Sequence, residues 1–124
     1  MKTLLDTNIL IDFLNGVDAA RRFLDDEQEK AISVVTWIEV MVGARGPREE
    51  ETIEAWLARF PVFEIDSAVA REAVALRRKY KIRLPDALIW ATAAVHRRIL
   101  ATRNTRDFPA DEAGIHVPYR IPSS

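Results

Sequence analysis

The chain has 124 residues, 48% of them hydrophobic, no cysteine and a formal net charge of −1. This length suits a single domain over residues 1–124 that buries roughly two-thirds of its unfolded surface. The missing cysteines exclude a disulfide framework and Cys-ligated zinc, and no apolar run approaches the ~18 residues of a membrane span. A single lysine precedes Asp6, which is no signal-peptide pattern, so a cytoplasmic protein is expected.

Strand-like and helix-like segments alternate. Lys2–Asp6 reads as a short strand, and Thr7–Leu14 as a helix with Ile9, Leu10, Phe13 and Leu14 on one face, stopped by Gly16. A second helix over Asp18–Gln28 carries Ala19, Ala20, Phe23 and Leu24. Ala31–Val34 predicts a strand, and Thr36–Ala44 a helix that ends at Gly46-Pro47. Pro47 suits the first turn of the next helix, which runs to Arg59 with Ile53, Trp56, Leu57 and Phe60 inward. Val62–Ile65 predicts a strand. Ser67 then caps a helix over Ala68–Lys79. Asp86–Arg97 predicts a helix with Ala87, Leu88, Ala91, Ala94 and Val95 on its inner face. Ile99–Thr102 and Ile115–Val117 complete the strands. This order predicts a three-layer α/β/α sandwich around a mostly parallel sheet of four to five strands, with right-handed crossovers.

The small net charge conceals a segregation. Residues 1–70 hold seven Lys/Arg against fourteen Asp/Glu, and residues 71–106 hold ten against two. A basic segment of this kind suits either a solvated helix face or a polyanionic partner.

Four positions carry the candidate chemistry. Asp6 ends the first strand, where an open α/β sheet faces its ligand crevice. It serves equally as a helix N-cap, unless Thr7 and Asn8 take over that work. Glu39 follows Thr36 by three residues, the spacing of a capping box, yet it also lies near the end of a strand. Asp86 opens a helix that is apolar on nearly all sides, where an acid needs a partner or a metal. Asn104 and Asp107 follow the fourth strand, where an Asx-turn loop is the plainer account of either one. Carboxylates converging in one crevice stay ionised together only beside a cation. An all-oxygen donor set favours Mg²⁺ or Mn²⁺ over zinc, and the ordinary use of such a site is phosphodiester hydrolysis. Arg77, Arg78, Lys79, Lys81 and Arg83 lead into Asp86, and Arg103 and Arg106 flank Asn104. Arg78, Lys81, Arg83, Arg103 and Arg106 are therefore candidate contacts for a nucleic-acid backbone.

Asp6-Thr7-Asn8, Glu39, Leu84-Pro85-Asp86-Ala87-Leu88-Ile89 and Ala101-Thr102-Arg103-Asn104-Thr105-Arg106-Asp107-Phe108 together resemble the four motifs of PIN-domain ribonucleases. Size and spacing resemble the VapC-type toxins of toxin–antitoxin pairs. The resemblance implies Mg²⁺- or Mn²⁺-dependent endoribonuclease activity, with Asp6 and Asp86 as metal ligands and Glu39 completing the pocket or acting as base. It also implies a homodimer and a small antitoxin that blocks the crevice. Asn104 stands where many relatives have Asp, so either Asn104 or Asp107 is expected to complete the pocket.

A phosphoacceptor receiver domain, with Asp66 as the acceptor, would need an acidic pair after the first strand and a Lys after the last. The chain has neither. A non-catalytic PIN-like module that binds RNA or protein is the other reading, and it predicts lost acids. His96 and His116 receive no role, and Trp37, Trp56 and Trp90 are expected in the core or a dimer interface.

Overall fold

Alternating side chains in short β-branched and leucine-rich runs build the centre of the molecule. The computed structural model describes residues 1–121. Its strands are β1 (Lys2–Leu5), β2 (Glu29–Ser33), β3 (Val62–Phe63), β4 (Ile99–Ala101) and β5 (Ile115–His116). They pair in the order β3-β2-β1-β4-β5, and every pairing is parallel. Leu4 stands opposite Ala31 and Leu100. These three point to one face of the sheet, and their neighbours Leu5, Ile32 and Ala101 point to the other.

Each face is covered by helices, which gives the expected three layers. On one side lie α5 (Ser67–Tyr80) and α6 (Leu84–Val95), which bring Val69, Ala73, Ala87 and Trp90 onto the sheet. On the other lie α1 (Thr7–Leu14), α2 (Asp18–Asp26) and α4 (Pro47–Leu57), which bring Ile9, Leu10, Leu24, Ile53 and Leu57. The helix α3 (Val34–Val42) touches α1, α4 and α6, with Val40 in the second core and Val35 against the first. Trp90 is buried, while Trp37 and Trp56 are half-buried against the α4 core. Pro47 opens α4, as its fixed φ favours. Among the described residues no helix is long and apolar enough to cross a membrane.

The start of α3 departs from expectation. Strand β2 ends at Ser33, and Ser33 is the N-cap, its hydroxyl accepting the Val35 N–H at 3.0 Å. The capping box expected at Thr36 and Glu39 is therefore absent, and both residues lie inside the helix. The β-branched Val34 and Val35 look like strand in isolation. Packing of Val35 against the α6 side overrides that preference. Other bounds shift as well: β2 begins at Glu29, β3 has only two residues, α4 ends at Leu57, α6 runs from Leu84 to Val95, and Asp66 rather than Ser67 caps α5, its Oδ1 accepting the Val69 N–H at 2.9 Å.

Ser33→Ala is expected to lower stability by about 1 kcal/mol through loss of this cap. Glu39→Ala, which removes no cap, should stay within about 0.5 kcal/mol of the parent. Urea unfolding of the two variants checks this.

Candidate active site

In the order β3-β2-β1-β4-β5, the chain leaves β1 toward one edge of the sheet and later fills the other. The carboxyl ends of β1 and β4 are the switch point, where open α/β sheets place their ligand crevice. Asp6 follows β1 and its backbone N–H donates to Ala101 O at 2.9 Å. Its carboxylate bridges the two strands. Oδ1 accepts the Thr7 N–H at 2.8 Å and Oδ2 accepts the Thr102 hydroxyl at 2.7 Å. Asp6 is thus the N-cap of α1 and a cleft residue at once. Thr7 and Asn8 do not relieve it of capping. The Thr7 hydroxyl donates to Glu39 Oε1 at 2.6 Å, and Asn8 Oδ1 accepts the Arg103 N–H at 3.3 Å.

The other acids approach from three directions. Glu39 stands exposed on α3. Asp86 lies in the first turn of α6, only 6% exposed, with Arg83 Nε at 3.3 Å from Oδ2. Asn104 and Asp107 divide the work at the fourth position. Asn104 Oδ1 accepts the N–H groups of Arg106 and Asp107, and its Nδ2 donates to Asp107 Oδ2 at 2.9 Å. Asn104 therefore shapes the turn, and the negative charge in that corner belongs to Asp107.

Asp6, Thr7, Asn8, Glu39, Asp86, Asn104 and Asp107 line one open cleft of about 1070 Å³, with Arg83, Arg103 and Arg106 on its walls. Arg78 and Lys81 are exposed on the α5 end and lie outside the cleft lining. Burial, and the charges of Asp86 and Glu39, push the Asp6 carboxyl up to about 6. Burial also raises Asp86, against the lowering influence of Arg83.

Among the described residues no three acidic or histidine side chains stand as a ready-made metal cluster. The donors facing the cleft are oxygens and amides with no His or Cys among them, a set that suits a hard cation. Mg²⁺ is commonly held by one or two carboxylates and keeps several waters. Asp6 and Asp86 are two such carboxylates at the cleft, and burial first, then the charges of Asp86 and Glu39, disfavours the ionised form of Asp6.

Three residues belong to this site without having been expected there. Asp12, 5% exposed, accepts Arg103 Nε and Nη2 at 2.6 and 3.0 Å and the Tyr119 hydroxyl at 2.7 Å. Thr102 holds Asp6 and also accepts the Asn104 N–H at 3.0 Å. One signal for Asp12 lies in the sequence: it is the sole charge in α1, four residues after Asn8 and so on the same helix face. Tyr119 carries no local signal.

The PIN domain family profile matches residues 3–111. Ribonuclease VapC10 of Mycobacterium tuberculosis is 38% identical, over 96% of this chain and 94% of its own. The structure of a toxin–antitoxin complex from Klebsiella pneumoniae superposes with a TM-score of 0.91 at 45% identity, covering 97% of this chain and all of the matched one. FitAcB from Neisseria gonorrhoeae shares the fold, with a TM-score of 0.79 at 24% identity over 94% and 97% of the two chains.

A carboxyl whose pKa is raised on folding holds its proton longer in the folded protein than in the unfolded chain. Stability then falls as pH rises from about 4 to about 6. Without divalent cations, the parent should lose about 2–3 kcal/mol across this interval relative to Asp6→Asn, which keeps a good N-cap. Urea unfolding of both proteins in EDTA at pH 4, 5, 6 and 7 measures the difference.

Proposed function

The chain belongs to the PIN-domain family, and on that premise we propose that it is a Mg²⁺- or Mn²⁺-dependent endoribonuclease acting as the toxin of a toxin–antitoxin pair. The convergence of Asp6, Glu39, Asp86 and Asp107 on one arginine-walled cleft carries this reading. The 38% identity to a named ribonuclease and the 45% identity to the toxin–antitoxin complex support it.

Asp6 and Asp86 would hold the cation. When bound, it lowers the pKa of a water and neutralises charge on the scissile phosphate. The protein's own groups do the rest. Asp6 is fixed by two hydrogen bonds, so its orientation is set before substrate arrives. Glu39 is held through Oε1 by the Thr7 hydroxyl, which leaves Oε2 to take the proton of the attacking water. Asp107, braced by Asn104, completes the acidic wall. Arg83 and Arg106 are exposed on the cleft walls and suited to phosphate oxygens. Arg103 adds a third guanidinium there, and Arg78 and Lys81 extend the basic surface past the cleft for a longer RNA strand.

A small antitoxin that blocks the cleft and a homodimeric toxin complete the proposal, with the whole chain acting as one nuclease domain in the cytoplasm. On α3, Ile38 and Val42 are 50% and 79% exposed and one turn apart, an apolar stripe available to such protein partners.

Purified protein should cleave single-stranded or structured RNA with Mg²⁺ or Mn²⁺ and stop in EDTA. Asp6→Asn and Asp86→Ala should reduce cleavage to background. RNA bound but never cut would favour the non-catalytic module instead. Arg83→Ala or Arg78→Ala should weaken RNA binding and reduce the slope of log affinity against log salt by about 0.7 for each phosphate no longer neutralised. Filter binding of RNA by the Asp86→Ala protein between about 50 and 300 mM salt measures that slope.

A further inference from the structure

The loop after β4 supplies Asn104 and Asp107 to the cleft and Thr102 to Asp6, yet it spans thirteen residues, 102–114, with no helix or strand of its own. Side chains from the rest of the molecule must hold it. Two of its anchors lie on the far side from α1. Phe108 is fully buried and meets Trp90 edge-on, and Glu112 accepts the Tyr80 hydroxyl at 2.8 Å. On the cleft side, the loop's anchors come from one face of α1. Asn8 accepts the Arg103 N–H, and Asp12 takes the Arg103 side chain through two parallel hydrogen bonds.

We propose that Asp12 and Tyr119 are positioning residues that aim Arg103 at the RNA backbone, a refinement that rests on the endoribonuclease reading. Asp12 occupies the Nε–Nη2 edge of the guanidinium. A guanidinium has five donors in a fixed plane, and among the described residues no hydrogen bond takes up Nη1, while Arg103 lines the cleft with its side chain one-third exposed. A planar group gripped along one edge presents the other in a single orientation, which saves the entropy of ordering a flexible arginine when phosphate binds.

Tyr119 tightens the grip. Its hydroxyl donates to Asp12 Oδ2, the same oxygen that receives Arg103 Nε. Its ring packs against the α4-side core. The chain beyond β5 thereby returns to the active site, and the buried Asp12 charge is met by three donors from the protein itself. Asp12 is not among the cleft-lining residues, so it reaches substrate only through Arg103.

The test is steady-state cleavage of a short RNA by the full chain, at several salt concentrations. Asp12→Asn should raise KM about tenfold with kcat within about twofold, the effect of forgoing one charge-assisted hydrogen bond to phosphate. The dependence of log KM on log salt should weaken by about 0.7. Arg103→Gln should do the same, and the double variant should be no worse than Arg103→Gln alone. Tyr119→Phe keeps the ring and should raise KM by about two- to threefold. It decides the matter if Asp12→Asn fails to fold. Variants that melt earlier but keep the parent KM and salt slope would overturn the proposal, as would additive effects in the double variant. A parent that cleaves no RNA would remove the nuclease reading and this refinement with it.

Discussion

The carboxylate of Asp6 sits where β1 and β4 part, and burying it there works against folding. Desolvation and two neighbouring acids all oppose its ionised form. Among the described residues, the Thr7 amide and the Thr102 hydroxyl favour it. The Thr102 bond also stitches the end of the central strand to the start of the β4–β5 loop, and the Thr7 bond caps α1. The geometry of the site and the seam of the sheet therefore depend on the same oxygens. Glu39 joins this seam through Thr7, whose hydroxyl lies 3.1 Å from that of Thr36. Helix α3 is thus tied to α1 at the mouth of the cleft.

At the opposite end of the sheet buried Glu27 faces the Met1 amino group at 3.8 Å, and an arginine ties the strands together. Arg98, just past α6, donates to the carbonyls of Thr3 and Glu29 at 3.1 and 2.8 Å and lies over the Phe63 ring. It ties β1 to β2 below the core, while His96 stacks on Phe63 with centroids 3.9 Å apart. His96 is thereby a packing residue. The basic segment of the chain is accordingly divided in use. Arg98 serves the fold, Arg103 is paired to Asp12, Arg83 is paired to Asp86 though largely exposed, and Arg106 is exposed at the cleft.

Much of this was legible because it is local. Alternation in Leu4-Leu5 and Ala31-Ile32 gives strands with two buried faces, and Gly16, Pro47 and Pro85 punctuate the helices. The order of the elements implies the sheet, and an acid at a strand end implies the cleft. What stayed hidden is non-local. Ser33 and Thr36 offer the same capping chemistry, and only the packing of Val35 selects between them. Asp12 gains its role only from Arg103, ninety-one residues later in the chain. The choice between Asn104 and Asp107 turned on which side chain folds back to the loop's own amides, and spacing alone does not decide that.

The cleft uses amides and carboxylates for different ends. At position 104 the requirement is geometric, and a neutral asparagine meets it by accepting two backbone N–H groups while donating to Asp107. At position 6 the cap itself would be served as well by asparagine, which carries no charge to desolvate and none for Asp86 or Glu39 to repel. A fold shaped for stability alone would place the amide there. The chain instead keeps a carboxylate whose ionised form opposes folding by about 3 kcal/mol, the equivalent of its roughly two-unit pKa rise. That cost, desolvation first and the charges of Asp86 and Glu39 after it, has a use only if positive charge enters the cleft. Under the proposed reading, a divalent cation supplies it, and the strain built into the site becomes affinity for the ion.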